Sequence, residues 1–152
     1  MQSAGHGPST DHPDENTRLE RIELSIRYLV HALTADAPMD WQRIDLRANL
    51  TVSVSDVRIM VFVAGREGHP MALPEHAVGA LREHRHLSWT FERGAWLSAR
   101  ISLAPPNQQL VSFNWDHLPD WNPPVPLDIY SEDLAVYPRR VPLPWLPAQS
   151  EA

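Results

Sequence analysis

The sequence predicts an α+β fold with a four-stranded, mainly antiparallel sheet, two helices on one face and a Pro-rich C-terminal segment that holds a short helix. Three observations predict this class. Segments of helical periodicity and of strict alternation follow one another as helix, strand, strand, helix, strand, strand. Short turns join the strand segments, as in antiparallel pairs. Eight of the 15 prolines fall between Pro119 and Pro147, where the alternation has ended.

The length of 152 residues predicts one domain over residues 15–147, with a disordered tail over 1–14 and a short tail over 148–152. No apolar run approaches the ~20 residues that span a bilayer, so no membrane association is expected. The first residues lack the basic and apolar regions of a signal peptide, and we therefore expect a cytoplasmic protein. Because cysteine is absent, disulfides and thiolate catalysis are excluded.

The net charge of −6 bears on the choice of partner. Direct nucleic-acid binding requires a basic patch that displaces counterions, so the charge argues against it. A basic protein partner is favoured instead, because opposite charge steers its encounter. The same charge is also ordinary for solubility alone.

The first helix is expected to begin near Thr17, because Thr17 and Glu20 fit a capping box. Apolar residues then recur every three or four positions and form one stripe. The stripe consists of Leu19, Ile22, Ile26, Leu29 and Leu33. Glu23 and Arg27 form an outward pair one turn apart. Pro38 ends the helix.

Two strands follow the helix. The first starts at Trp41, and its apolar residues Ile44, Leu46, Ala48 and Leu50 alternate with Arg43, Asp45, Arg47 and Asn49. The second has Val57, Ile59, Val61 and Val63 on one face and Met60 and Phe62 on the other. A strand that is apolar on both faces is expected in a central position.

A second helix is predicted from the region of Pro74 to about His84, since proline suits a first helical turn. Gly94 then opens a hairpin that turns at Pro105-Pro106-Asn107. The apolar face of its first strand consists of Ala95, Leu97, Ala99, Ile101 and Leu103, and the polar face of Trp96, Ser98, Arg100 and Ser102. The second strand places Val111, Phe113 and Trp115 on its apolar face.

The C-terminal segment is predicted to hold a short helix between Leu127 and Tyr137, followed by an extended tail that packs Trp145 and Leu146 on the body. Five acidic residues and no arginine lie between Asp116 and Asp133.

Candidates for catalysis are few. His84 and His86 form the one close histidine pair, but a metal site needs further ligands at fixed positions, so no metal or other cofactor is expected. Basic residues at a helix C-terminus are also favoured by the helix dipole alone. Asp116 with Asp120, and Glu132 with Asp133, could do acid–base chemistry only if burial raised the pKa of one carboxyl group.

A binding role is favoured over catalysis. Trp115 and Trp121 lie close in sequence to Asp116, Asp120, Asp128, Glu132 and Asp133. Tryptophan is common at interface hot spots, and acids pair with a basic surface. The tryptophans could equally belong to the core, with the acids forming a solvated rim.

The sequence from Gly94 onward resembles the YezG-like family of bacterial immunity proteins. The matching pieces run over residues 94–146 and comprise GAWLSARISL, VSFNWD, LPDW, DIYSEDLAVYPRR and a terminal PWL. The helix and strands upstream fit the family layout loosely. The resemblance implies an α+β domain without enzyme activity. Such proteins bind the toxic domain of a secreted polymorphic toxin, often a nuclease, and protect the producing cell.

The residues that fall in the matched loop are Phe113, Asn114, Trp115, Asp116, Pro119, Asp120 and Trp121. We therefore predict a toxin interface on the segment from Asp116 to Asp133 together with the polar sheet face. Its members are Trp96, Arg100, Asn114, Asp116, Asp120, Trp121, Asp128, Glu132 and Asp133. Reversing the charges of Asp128, Glu132 and Asp133 together is expected to weaken binding without unfolding the protein.

The expected partner is a basic toxin domain, with nucleases and other nucleotide-targeting enzymes as the toxins considered, and the expected mode of action is to block its active site. Two alternatives stay open. One is a small metal-dependent hydrolase that uses His84 and His86. The other is a secretion accessory protein that carries a partner without inhibiting it.

Overall fold

The computed structural model describes residues 14–147 and contains three helices and five strands. The predicted tails over 1–14 and 148–152 lie outside the described residues, except at Asp14. The elements in chain order are α1 (Glu15–Ala35), β1 (Trp41–Leu50), β2 (Ser55–Val63), β3 (His69–Pro70), α2 (Ala77–Ser88), β4 (Ser98–Ala104), β5 (Gln108–Asn114) and α3 (Asp128–Val136).

The strands form one antiparallel sheet in the order β3-β2-β1-β4-β5. The predicted α+β class and antiparallel pairing are confirmed, and the sheet has five strands rather than four. The additional strand β3 is two residues long, which is too short to show an alternation. It pairs with β2 on the side away from β1, so β2 is an interior strand rather than an edge strand, as predicted, and β1 is the middle strand of the sheet.

Helix α1 begins earlier than predicted. Asp14 is its N-cap, and the carboxylate of Asp14 accepts a hydrogen bond of 2.8 Å from the Thr17 amide. Aspartate caps a helix as well as threonine does, and a cap at Asp14 starts the helix three residues earlier than a cap at Thr17 would. Residue 14 therefore belongs to the folded domain rather than to the predicted tail.

The main core lies between the sheet and helices α1 and α2. Leu29 and Leu33 of α1 and Leu81 of α2 are fully buried against Ile44, Leu46 and Ile101 of the sheet. The predicted stripe of α1 is buried only in its C-terminal half, since Leu19 is 52% exposed and Ile22 and Ile26 are half-buried.

Helix α2 ends at Ser88, four residues beyond the predicted end at His84. His84 and Arg85 are therefore inside the helix, and both are buried. Arg85 and His86 lie in the last turn of α2, so the predicted basic end of this helix is confirmed. His84 and Arg85 are nevertheless buried, because the helix turns them toward the sheet and α3.

Trp96 was predicted on the polar face of its strand, but it is fully buried in the main core. The carbonyl of Asn114 accepts a hydrogen bond of 2.7 Å from the Leu97 amide, while Asn114 stands opposite Ser98 in the ladder. Two residues, Leu97 and Ser98, thus oppose one, as in a β-bulge, and the alternation shifts by one position upstream.

A second, smaller core joins the C-terminal segment to the sheet. It consists of Leu97, Trp121, Ile129, Tyr130 and Leu143, with Trp145 and Leu146 packed against it. The short helix was predicted over nearly the residues that α3 occupies, and the packing of Trp145 and Leu146 was predicted as well. Within residues 14–147, no helix combines the length and the apolar character that a membrane crossing requires.

Candidate binding surface on the open sheet face

The sheet face opposite α1 and α2, called the open face below, carries the charged residues of the strands. Four arginines and two aspartates alternate there with the buried core residues of β1, β2 and β4. They are Arg43, Asp45, Arg47, Asp56, Arg58 and Arg100. The open face thus carries more positive than negative charge, although the whole protein has a net charge of −6.

Three of these arginines form one row across the sheet. Arg47 of β1 lies directly opposite Arg58 of β2 and directly opposite Arg100 of β4. Because neighbouring strands are ~4.8 Å apart, the row spans ~10 Å between the outer backbones. Arg47, Arg58 and Arg100 are called the arginine row below.

The three arginines differ in their partners. Arg58 donates to the carboxylate of Asp56 from two nitrogens, at 3.1 and 3.3 Å, and also to the carbonyl of Asn122. Arg47 and Arg100 are exposed, and their side chains have no hydrogen bond or ion pair with any residue in the range 14–147. Two guanidinium groups of the row are therefore free to bind a ligand.

The loop after β5 borders this row and makes a groove of about 400 Å³. The side chain of Asn49 donates to the Asp120 carbonyl at 3.1 Å, which holds the loop against β1. The Asn122 amide is 3.5 Å from the Asp56 carboxylate. The groove is lined by the arginine row, Asn49, Asp56, Ser98, Ala99, Ser112, Phe113, Asn114, Asp120 and Asn122.

At the end of the open face away from the loop after β5, the charged side chains have partners within the protein. Asp45 accepts from Ser102 at 2.8 Å and forms an ion pair of 3.2 Å with Arg43. The guanidinium of Arg43 also lies 4.2 Å from the ring centre of Phe62. Arg43 therefore has two partners, whereas Arg47 and Arg100 have none within residues 14–147.

Three of the nine residues predicted for an interface meet in the groove, namely Arg100, Asn114 and Asp120. Asn114 shapes this end of the sheet, because its amide nitrogen donates to Ser98 at 3.0 Å and its oxygen accepts from the His117 amide at 2.9 Å. Asp120 is exposed at the rim.

Three further predicted residues are exposed but lie outside the groove lining. Asp116 is 62% exposed and forms an ion pair of 2.6 Å with Arg139. Asp128 and Glu132 lie on α3, where Glu132 accepts a hydrogen bond of 3.0 Å from Ser53.

The last three predicted residues, Trp96, Trp121 and Asp133, are buried, so their predicted place on the interface is wrong. Trp121 belongs to the second core, and its indole donates to the Tyr130 hydroxyl at 2.7 Å. Burial raises the pKa of Tyr130 to about 12, which keeps this hydroxyl neutral.

Asp133 forms a buried ion pair with Arg85 through two hydrogen bonds of 2.8 and 2.6 Å. The same carboxylate accepts from the Val52 amide at 2.8 Å, and Arg85 donates to the Trp96 carbonyl at 2.6 Å. This pair joins α3 to α2 and to the β1–β2 turn. Reversing the charge of Asp133 would leave like charges buried side by side, so we now expect the triple variant to be destabilised.

The two candidate metal ligands of α2 are in different environments. The Trp96 indole donates to His84 Nδ1 at 3.0 Å, and the His84 ring stacks on Phe113 with 4.7 Å between ring centres. Burial lowers the pKa of His84 to about 4, so the ring is neutral at pH 7. His86 is exposed and has its Nδ1 3.0 Å from the Tyr137 hydroxyl. In the described part of the chain, no three His, Cys, Asp or Glu side chains are grouped to hold a metal ion.

The comparisons with known proteins assign neither a family nor a function to the chain. No protein-family model matches the chain, and the search of curated proteins finds no match.

Sequence reasoning missed Arg47 and Arg58 as members of the site, although it placed Arg47 on the polar side of its strand. The signal was an arginine on the face opposite the core residues in each of three strands, although on β2 Met60 and Phe62 share that face with Arg58. The strand alternation shows that all three share a face, but their alignment in one row depends on the register, which alternation leaves open.

Proposed function

We propose that this protein is an immunity protein, which binds a cognate secreted toxin domain through the open sheet face and blocks its active site in the cytoplasm. The resemblance of residues 94–146 to the YezG-like family supports the immunity role. The geometry supports the location of the interface.

One observation carries the location. Every buried side-chain nitrogen or oxygen of residues 14–147 has a hydrogen-bond partner, whereas Arg47 and Arg100 on the open face have none. A fold that pairs its buried polar groups and leaves two neighbouring cations free beside a groove is suited to an external partner. Arginine is also enriched at interfaces and at hot spots.

The lining of the groove supports binding rather than catalysis. Its polar side chains are arginine, asparagine, aspartate and serine, and it contains no histidine. A serine nucleophile needs a general base within hydrogen-bond reach. Ser98 instead accepts a hydrogen bond from Asn114. We therefore assign no reaction to the groove.

The interface proposed from sequence changes accordingly. Arg100, Asn114 and Asp120 stay in it, Arg47 and Arg58 join it, and Trp96, Trp121 and Asp133 leave it. Asp116, Asp128 and Glu132 remain exposed candidates for the periphery.

The proposal is tested by purifying the full-length protein from a lysate of its native cell and identifying bound proteins by mass spectrometry. We expect the C-terminal domain of a large secreted protein. The gene for that domain is then expressed in a host with and without the present protein. Restored growth is the expected result.

The outcomes separate the candidate functions. A bound domain whose toxicity is not relieved would contradict the immunity role and favour a secretion accessory protein. The absence of a bound toxin domain at native expression would also overturn the proposal. The double variant R47Q/R100Q should lose the partner, whereas R27Q/R66Q, which removes two exposed arginines elsewhere, should retain it.

A further inference from the structure

The arginine row is unfavourable in the isolated protein. Like charges directly opposite each other on neighbouring strands destabilise a sheet. Arg47 stands opposite an arginine on both sides, and Asp56 neutralises only Arg58 among the three. An anion placed between Arg47 and Arg100 would remove the remaining repulsion.

We infer that Arg47 and Arg100 bind two closely spaced carboxylates of the toxin domain, an inference that rests on the proposed function. A guanidinium group presents two parallel N–H donors whose geometry matches a carboxylate. With the two arginines on adjacent strands, the matching carboxylates lie ~5 Å apart on the partner. Arg58 is already held by Asp56 and fixes the outer edge of the row.

Carboxylates fit this surface better than a nucleic-acid backbone does. Acidic residues stand on both sides of the free arginines, with Asp45 toward one end of the sheet and Asp56 and Asp120 toward the other. A phosphate chain that crossed the face would pass these carboxylates and be repelled. A compact pair of acids contacts the arginines alone. The protein's net charge of −6 also opposes a polyanion.

A pair of carboxylates at the bound surface narrows the class of toxin. Two carboxylates held close together repel each other, and such pairs are characteristic of catalytic dyads and of Mg²⁺ or Ca²⁺ sites. A row of arginines that pairs with them would cover the active site itself. We therefore expect a toxin whose active site is built on paired carboxylates. The sequence alone predicted a basic toxin domain. We now expect that domain to carry an acidic active site.

The carboxylate site can be tested before the toxin is known. The Nε–Hε NMR signals of the arginine side chains in the full-length protein are followed during titration with a tetra-aspartate peptide at constant ionic strength. We expect the signals of Arg47 and Arg100 to shift saturably. R47Q/R100Q should weaken the peptide affinity by about 10-fold or more, since at least one charge-assisted pair is lost. R27Q/R66Q should bind as the wild type does.

Three results would overturn the inference. If R47Q/R100Q and R27Q/R66Q weakened the peptide affinity equally, the peptide would be attracted to exposed arginines in general. Shifts that inorganic phosphate reproduces at the same concentration would show a site for any anion. Tighter binding of an oligothymidylate than of the peptide would favour a nucleic-acid site.

The toxin domain separates this inference from the proposed function. If the toxin binds wild type and R47Q/R100Q equally, the carboxylate site and the location of the interface at these arginines are wrong, while the immunity role stands. If the peptide binds through Arg47 and Arg100 but no toxin domain is recovered, the immunity role fails and the site stands.

Discussion

Arg85 and Arg47 carry the same side chain in opposite settings. Arg85 is buried, forms two hydrogen bonds with Asp133 and donates a third to a backbone carbonyl. Arg47 is exposed, faces two other arginines and has no partner among the described residues. The first setting belongs to a buried polar cluster of His84, Arg85, Trp96 and Asp133, and the second to the arginine row.

The difference shows that charge alone does not indicate a binding residue. Asp133, which was predicted at the interface, stabilises the fold instead, because its carboxylate accepts hydrogen bonds from Arg85 and from the Val52 amide. The arginine that sequence left on an ordinary strand face is available to a ligand. A stabilising charged residue has its hydrogen-bond partners inside the protein, and a binding residue does not. The buried polar cluster and the arginine row should therefore respond differently to mutation.

The largest effect is expected at Asp133. Replacing Asp133 with alanine should lower the free energy of unfolding by about 3–5 kcal/mol, because Arg85 would remain buried without its counter-ion. Urea-induced unfolding followed by tryptophan fluorescence measures the change. The neighbouring E132A variant is the control, since Glu132 is exposed, and should lose less than about 1 kcal/mol. Equal effects of the two variants would contradict the assignment of Asp133 to the core.

The next effect is a pH dependence that originates at His84. Burial lowers its folded-state pKa from 6.5 to about 4, so folding favours the neutral ring. The stabilisation is complete above the unfolded pKa and is lost as the pH falls from 6.5 toward 4. Between pH 7 and pH 5 this group should cost about 2 kcal/mol of unfolding free energy.

Two glutamine variants isolate that contribution. H84Q removes the titrating group and keeps an acceptor for the Trp96 indole, so its stability should fall about 2 kcal/mol less than that of the wild type over the same pH interval. H86Q changes an exposed histidine on the same helix and should keep the wild-type dependence. A wild-type slope that persists in H84Q would place the titration at another group.

Much of the fold follows from local sequence patterns. Alternation on β1 and β4 predicts which residues face the core, and Pro105-Pro106-Asn107 predicts the turn between β4 and β5. These features depend on neighbouring residues only. The start of helix α1 was predicted too late because two acceptable caps, Asp14 and Thr17, lie within one turn of each other.

The features that sequence analysis missed depend on distant contacts. Asp133 and Arg85 are separated by 48 positions, and neither residue alone indicates a buried pair. Trp96 was placed on the wrong face because the bulge at Leu97 and Ser98 shifts the alternation, and no glycine or proline marks it. The arginine row likewise needed the register of three strands. Sequence therefore predicted the sheet face that holds the site and some of its residues, but not the alignment of the three arginines.

The smallest effect is a gain in stability on the open face. R47Q should raise the free energy of unfolding by about 0.2–1 kcal/mol, because it removes repulsion with Arg100 and breaks no hydrogen bond to any of residues 14–147. Thermal unfolding at low ionic strength measures the gain, and added salt should reduce it by screening the charges.

Arg27 supplies the matched comparison for this last prediction. It is exposed as Arg47 is, but it forms an ion pair of 3.7 Å with Glu23 on the next turn of α1. R27Q should therefore lower stability by about 0.3–0.5 kcal/mol, opposite in sign to R47Q. If R47Q lowered stability instead, Arg47 would have a partner in the folded protein, and the distinction between paired and unpaired arginines would no longer identify the binding surface.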